Sequence, residues 1–291
     1  MDAEKTIKTA VLTGSTGGIG SEIAKLLAQR GWDLVLVNRS ADKSQKQADG
    51  LRRGYSNVSV SIYTADLLDQ TDIITVCKAI LKAHPKLDAL YNLAGFLSDN
   101  RVESVQGIEA HFAINTVAPY LFANQLSASL SAGKGGEKSA VVVNFGSSAV
   151  NSVKKLEVQS LANPAKIGGL MGAYANSKLA LMAMTLAMDA EAMKSNVLFQ
   201  VADPGPTKTS MTHTGDGMPW FLKLLVPLIF KTADVQAKRL VDGVQKAVAE
   251  GESGLYISEG RRKRFPKLAT DKTLQSDLMQ LLTVSTGLTH E

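Results

Sequence analysis

Short runs of β-branched and aliphatic residues alternate with helical patterns along almost the whole chain, and this alternation constrains the fold more than any other feature. Candidate strands cover 9–13, 34–38, 58–63, 87–92, 140–145, 197–201 and 255–257. Between them the apolar spacing predicts helices near 19–30, 41–53, 70–83, 103–130, 172–194 and 233–249. Strands separated by helices are βαβ units, and such units build a parallel sheet covered on both faces. The fold class is therefore α/β, with one doubly wound parallel sheet of about seven strands. No solenoid-length repeat interrupts the pattern, and the loops near 131–139 and 203–220 read as local. The expectation is one domain over 1–291, with 210–231 and 259–291 as a substrate lid and tail.

The composition agrees with an ordinary globular chain: 291 residues, 45% hydrophobic and 20% charged, large enough to bury a core without staples. The lone Cys77 sits in the apolar pattern of Ile73, Ile74, Val76 and Ile80, which marks a core thiol. One cysteine permits no internal disulfide, so the expected location is the cytoplasm or another reducing compartment. The opening MDAEKTIKTAVLTG is not a signal peptide. The net charge of +5 is scattered apart from Arg261-Arg262-Lys263-Arg264, which reads as a solvated run. No basic stripe with interleaved aromatics supports nucleic-acid binding. The apolar stretch 218–230 is broken by Pro219, Lys223 and Pro227 and is too short to span a bilayer. It suits a lid over an apolar pocket; with 261–264 it also suits contact with an anionic membrane surface.

Ligands of a doubly wound sheet bind beyond the carboxyl ends of the strands, so the residues after each strand belong together. After the first comes TGSTGGIG, with Gly14, Ser15, Thr16, Gly18, Ile19 and Gly20 ahead of a helix. Glycines let the backbone approach a pyrophosphate, and the helix N-terminus offers unpaired N–H groups. No Gly-Lys-Ser/Thr closes the loop, so a triphosphate-binding loop is excluded. After the second strand come Asn38, Arg39 and Ser40, where a carboxylate would hold the adenosine ribose of NAD. The missing acid and the neighbouring guanidinium favour the 2′-phosphate of NADP. After the third come Asp66 and Leu67; Asp66 can accept from an adenine amino group or cap the next helix. Asn92, Ala94 and Gly95 follow the fourth strand, and Ser147 and Ser148 the fifth. The turn DPGPTKT brings Pro204, Gly205, Thr207 and Thr209 after the sixth, where hydroxyls can hold a carboxamide. Tyr174 and Lys178 lie four residues apart in YANSK, one turn apart on a helix face. No HExxH motif or Cys/His cluster supports a metal.

Together, TGSTGGIG, NRS, DL, NLAG, Asn115 in INTVAPYLF, GSS, YANSK and PGPTKT resemble the short-chain dehydrogenase/reductase family, in family order over residues 9 to about 209. The resemblance implies a Rossmann-type fold, an NADP(H) cofactor preferred over NAD(H), and hydride transfer between a carbonyl and its alcohol. It makes Tyr174 the acid/base and Lys178 the group that lowers its pKa and holds the nicotinamide ribose. Ser147, three residues after Asn144, would hold the substrate oxygen, and Asn115 would complete a water-linked proton relay. Two positions depart from the family pattern. Leu93 replaces the second Asn of Asn-Asn-Ala-Gly, and Thr16 stands where many NADP-preferring members carry a basic residue.

The loop 151–169 and the tail beyond Thr209 exceed a minimal member and resemble the retinol dehydrogenase and carbonyl reductase-like branch. That branch implies a small lipophilic carbonyl or alcohol substrate, with Trp220 and Phe221 among the pocket's roof; the loop residue His213 is not expected to be catalytic. The helices 103–130 and 172–194 offer faces for a homodimer. The competing expectations are a catalytically silent dinucleotide-binding regulator and a membrane-surface binding module.

Overall fold

The computed structural model describes residues 7–132, 140–168, 171–192, 196–207 and 231–288. Eight strands form one sheet: β1 (Thr9–Thr13), β2 (Asp33–Asn38), β3 (Val60–Thr64), β4 (Ala89–Asn92), β5 (Ala140–Phe145), β6 (Val197–Asp203), β7 (Leu255–Ser258) and β8 (Arg261–Lys263). Their order is β3-β2-β1-β4-β5-β6-β7-β8, parallel except for the antiparallel β8. The order reverses between β1 and β4, which opens the crevice expected of a doubly wound sheet.

Side chains along each strand alternate between two cores. Ala10, Leu12, Leu34 and Leu36 face one layer. It holds α1 (Gly18–Gln29), α2 (Ala41–Gly54) and α8 (Ala233–Ala249). Val11, Val35, Val37 and Val142 face the other. That layer holds α3 (Gln70–Ala83), α4 (Ala110–Phe112), α5 (Ala118–Gln125), α6 (Ser127–Ser131), α7 (Ala173–Glu191) and α9 (Lys272–Thr286). Cys77 is buried in this second core, and burial pushes its thiol up to about 12.

Three expectations need correction. The strand ends shift: β3 runs on to Thr64 because Thr64 pairs with Asn38, and β6 runs on to Asp203 because Asp203 pairs with Ser258. The strand expected from Leu87 begins at Ala89, since the Leu87 N–H donates to Ser129 O. The helix expected over 103–130 starts only at Ala110. Glu103 bridges Glu109, Gly107 takes φ +73 in the turn between them, and the Glu109 carboxylate caps α4 through the N–H groups of His111 and Phe112. A π-helix, Ala113–Val117, then separates α4 from α5. The basic run is solvated as expected: Arg261–Lys263 form the exposed edge strand β8, and Arg262 pairs with Glu250 and Glu252. Charged side chains on an edge strand discourage pairing with other chains.

The late helix α9 was not anticipated. Asp271 caps it through the N–H groups of Thr273 and Leu274, and Gly287 ends it in the left-handed conformation at φ 67. It packs on α7, one of the helices whose faces were expected to pair across a two-fold axis, and buries Leu278, Met279 and Leu282. The loop 151–168 is likewise seated, with Leu156, Val158 and Leu161 in the core and Ala162 O accepting from Glu109 N–H. The segments 218–230 and 208–217, with Thr209 and His213, lie outside the described residues. Among the described residues no helix is long and apolar enough to cross a membrane.

Because Leu282 is fully buried between α9 and the main core, Leu282→Ala should lower unfolding stability by about 2–5 kcal/mol. Urea unfolding followed by circular dichroism checks this; an unchanged midpoint would mean that α9 is not docked.

Candidate active site

The loop between β1 and α1 folds tightly against the fourth strand's exit. Gly14 has φ +66, and a Cβ there would meet Ala94 Cα at 2.6 Å. A Cβ on Gly20 would meet Gly14 O at 2.5 Å, so the first turn of α1 also lies against the loop. Gly18 shares the left-handed conformation at φ +53. Gly17 caps α1 without a side-chain bond, and no acidic residue stands in its first turn. The first N–H groups therefore have no side-chain acceptor and face the crevice as an anion cradle would require. Ile19 is half-buried against the core on this side, and Thr16 is half-buried in the loop.

Ser15 is buried and pinned rather than presented. Its Oγ lies 3.0 Å from Gln47 Oε1 and 3.1 Å from Asn38 Nδ2, and Gln47 Nε2 donates to Ser15 O at 2.6 Å. Gln47 is a support that sequence reading missed, because nothing in a polar helix position signals a partner 32 residues away. Asn38 is thus committed to the loop, and Ser40 caps α2 by accepting from Lys43 N–H. Arg39 between them is exposed, with no ion pair among the described residues. Asp66 neither caps α3 nor stands free: its Oδ1 accepts from Leu68 N–H at 3.0 Å, while Asp69 caps α3. Leu67 is half-buried and packs on the second core.

Beyond β4 and β5 a buried polar ladder crosses the sheet. Asn92 Nδ2 donates to Asn144 Oδ1 at 2.8 Å, and Asn144 Nδ2 donates to Thr185 Oγ1 on α7 at 2.9 Å. Asn92 Oδ1 is left buried without a partner. Ala94 N–H donates to Thr13 Oγ1 at 3.3 Å, tying β4's exit to β1. Gly95 sits where a Cβ would stand 3.6 Å from Asn115 Oδ1 and 3.9 Å from Lys178 Nζ.

Asn115 lies in the π-helix and is buried. Its Oδ1 accepts from Phe96 N–H at 2.9 Å, and its Nδ2 donates to Phe96 O at 3.1 Å and to Ser177 Oγ at 3.0 Å. Tyr174 stands on the first turn of α7 with its phenol near enough to Ser147 for the serine to pull its pKa down, and Ser147 Oγ accepts from Ala149 N–H at 3.2 Å. Of the serine pair it is Ser147, and not Ser148, that reaches the tyrosine. The entry to α7 is tight: a Cβ on Gly172 would fall 2.0 Å from Ile167 O.

Lys178 is 4% exposed; its Nζ donates to Phe145 O at 2.7 Å and lies 6.0 Å from the Tyr174 ring centre. Burial pulls its pKa down to about 8, opposed by the charge of Asp203. The expected lowering of Tyr174 by its lysine is reversed. Burial raises the phenol, the Ser147 hydrogen bond works against this, and the Asp203 charge raises it further. The lysine turns its ammonium to the strand-end carbonyl, and desolvation of the phenol prevails.

Two further groups escaped the sequence reading. His111 is fully buried, its Nδ1 2.6 Å from Glu109 Oε1 and its Nε2 accepting from Ser98 N–H at 3.1 Å. Its ring meets Phe96 and Tyr174 edge-on at 4.9 and 6.4 Å. The turn after β6 is held from below by Gln236, which donates to Pro204 O and, at 3.3 Å, to Glu259 Oε1. Gly205 takes φ +68, and Thr207 Oγ1 donates to Gly205 O at 3.0 Å. No metal-sized group of three or more His, Cys, Asp or Glu gathers among the described residues.

Comparison with known proteins fits this arrangement. Human polyprenol dehydrogenase is 28% identical over 97% of this chain and 86% of its own length. Cattle dehydrogenase/reductase SDR family member 13 is 31% identical over 91% and 69%. Among solved structures, the alcohol dehydrogenase of the archaeon Thermococcus sibiricus complexed with 5-hydroxy-NADP has the same fold, with a TM-score of 0.66 at 22% identity over 90% of this chain and 98% of that one. Residues 8–218 match the family described as short chain dehydrogenase, and the chain belongs to that oxidoreductase family.

Proposed function

We propose that this chain is an NADP(H)-preferring oxidoreductase that interconverts a lipophilic alcohol and its aldehyde or ketone, with Tyr174 as the acid/base. The observation that carries the reading is the gathering of Ser147, Tyr174 and Lys178 beside Gly95 and Asn115, at the strand ends that border the glycine-lined crevice. The crevice fits a dinucleotide. Gly14 and Gly20 let the loop close on Ala94 and on itself, so main chain rather than side chains borders the crevice, and α1 opens without a side-chain cap. Gly14 to Gly20 would hold the pyrophosphate, Arg39 the 2′-phosphate, Asp66 and Leu67 the adenine, and Pro204, Gly205, Thr207 and Thr209 the carboxamide end. A bound nicotinamide supplies or accepts the hydride.

The chain's own residues handle the proton. Ser147 and Tyr174 present two adjacent hydroxyls, so one substrate oxygen can accept from both. In reduction Tyr174 gives its proton to that oxygen; in oxidation its phenolate takes one back. A tyrosine held above its usual range by burial is protonated at neutral pH, which suits the reductive direction. Lys178 donates one N–H to Phe145 O and has others for ribose hydroxyls. Asn115 holds the Phe96 main chain at both its N–H and its carbonyl, which fixes the wall opposite Tyr174 and the exit for a proton relay.

The lipophilic substrate class rests on the likeness to a polyprenol dehydrogenase and on the leucine-rich run 218–230. A cytoplasmic or other reducing location, and peripheral contact with a membrane that carries such a substrate, belong to the same proposal.

Titration with NADPH and NADH by nicotinamide fluorescence, then addition of long-chain alcohols, aldehydes and ketones, tests the reading. Tight binding without turnover would favour a dinucleotide-binding regulator. Tyr174→Phe should lower turnover by about 10²-fold or more while leaving cofactor affinity within a few fold; near-normal rates would refute the acid. Arg39→Ala should weaken NADPH about tenfold or more and NADH little, as loss of a charge-assisted bond predicts; equal losses would undo the phosphate assignment.

A further inference from the structure

We propose that Asp203, at the end of β6, is the buried counter-charge of Lys178, a positioning residue that keeps the lysine's ammonium charged in a site largely closed to water. The inference rests on the reading of Lys178 given above.

The placement follows from how α7 lies on the sheet. The helix connects the parallel strands β5 and β6 and so runs against them. A Cβ on Gly146 would touch Val201 Cγ1 at 2.7 Å and Met182 Cε at 3.0 Å, so Met182 and Val201 meet over one point. Lys178 stands one turn back from Met182, about 6 Å. Asp203 stands two residues on from Val201, on the same face, about 6.6 Å. Because helix and strand are antiparallel, both steps lead the same way. Lys178 therefore lies over Asp203 as Met182 lies over Val201.

The bonding of each group supports the pairing. Among the described residues the one hydrogen bond of Lys178 Nζ goes to a neutral carbonyl, Phe145 O. Asp203 is 2% exposed; its Oδ1 accepts from Gly205 N–H at 2.8 Å, and its Oδ2 from Tyr256 O–H at 2.9 Å and Ser258 Oγ at 3.5 Å. Those three donors fit an ionised carboxylate, yet none is a cation. A buried charge without a partner is costly, and two of opposite sign that face each other across the helix–sheet seam relieve each other. The shifts agree on one side: burial lowers Lys178 and Asp203 opposes this, whereas burial raises Asp203 and its own hydrogen-bond donors, not Lys178, work against that.

Other charged or titratable groups around Lys178 are accounted for. Tyr174 is on its own helix, and His111 and Glu109 reach in from α4 and its cap. Tyr256 comes from β7, and Glu259 beyond it lies 3.8 Å from Lys231. Lys267, Lys272 and Asp277, on the segments that cover the rest of α7, are exposed. The late segment SGLYISEG thereby gains a purpose, since it brings Tyr256 and Ser258 to Asp203.

The test titrates full-length protein, without cofactor or substrate, by NMR of ¹⁵N-labelled lysine side chains, with the Lys178 signal assigned by its loss in Lys178→Arg. In Asp203→Asn the Lys178 midpoint should fall by about one pH unit, as expected when an opposite charge at that range is removed. Tyr256→Phe disturbs the same hydrogen bonds but keeps the charge, so it should move the midpoint by less than half as much. No fall in Asp203→Asn, or an equal fall in both variants, overturns the pair. If Asp203→Asn does not fold, the reciprocal measurement stands: in Lys178→Met the ¹³C carboxyl midpoint of Asp203 should rise, and an unchanged midpoint overturns the proposal. Because nothing in this titration turns over, its failure leaves the oxidoreductase reading standing, and the reverse also holds.

Discussion

A lysine ammonium taken out of water at the ends of β5 and β6 sets the terms for everything around it. To reach Phe145 O at 2.7 Å, Lys178 needs α7 pressed close to the sheet. Ala173, Ala175, Ala180 and Ala183 give α7 a thin buried face, and Gly146 removes the one Cβ that would collide with Met182 and Val201. The same approach puts Tyr174 at the mouth of the site, next to Ser147, because Lys178 and Tyr174 share a helix face. The helix is therefore fixed by packing first, and its chemistry follows from which residues occupy the first two turns.

The strand ends must also hold still relative to each other. Asn92, Asn144 and Thr185 join β4, β5 and α7 through side-chain hydrogen bonds inside a region otherwise filled by valine and leucine. Such buried polar pairs, matched here at every side-chain atom but Asn92 Oδ1 among the described residues, favour one register of β4 against β5. The Gly14–Ala94 approach does the same work between β1 and β4. Substituting either glycine or asparagine would move the two sides of the crevice apart, although neither touches the reacting atoms.

Much of this was legible in the sequence because it depends on local rules. Strand-helix alternation implied the sheet, and the spacing of Gly14, Gly18 and Gly20 implied the loop that the positive φ of Gly14 and Gly18 and the close contacts of Gly14 and Gly20 require. What stayed hidden depends on distant partners. Gln47 looks like any surface glutamine until Ser15 is seen beneath it. The Tyr174 shift was read with the wrong sign because i,i+4 spacing reports a neighbour's charge and not the desolvation around both groups. Helix α9 could have been found: Asp271, Leu274, Leu278, Leu282 and Gly287 form a capped apolar stripe. The π-turn at Asn115 could not, since nothing local in the sequence reports that the Asn115 amide binds the Phe96 main chain at both ends.

The part of the site that faces substrate is joined mechanically to the part that moves the proton. Glu109 accepts from two backbone N–H groups and from His111 Nδ1, which fixes the imidazole with Nε2 as an acceptor. Nε2 then holds Ser98 N–H, and Asn115 holds Phe96 two residues earlier. The segment 96–98 is thus clamped by α4 and its π-helix continuation. The loop 151–168 leans on the same elements through Ala162 O to Glu109 N–H and Arg101 to Pro164 O. A shift of that loop to admit a larger substrate would reach Glu109 first, then His111 and Phe96, and so the wall opposite Tyr174. A short chain of buried hydrogen bonds thus runs from the loop through Glu109 and His111 to Phe96 and Asn115, with the imidazole 6.4 Å from the Tyr174 ring.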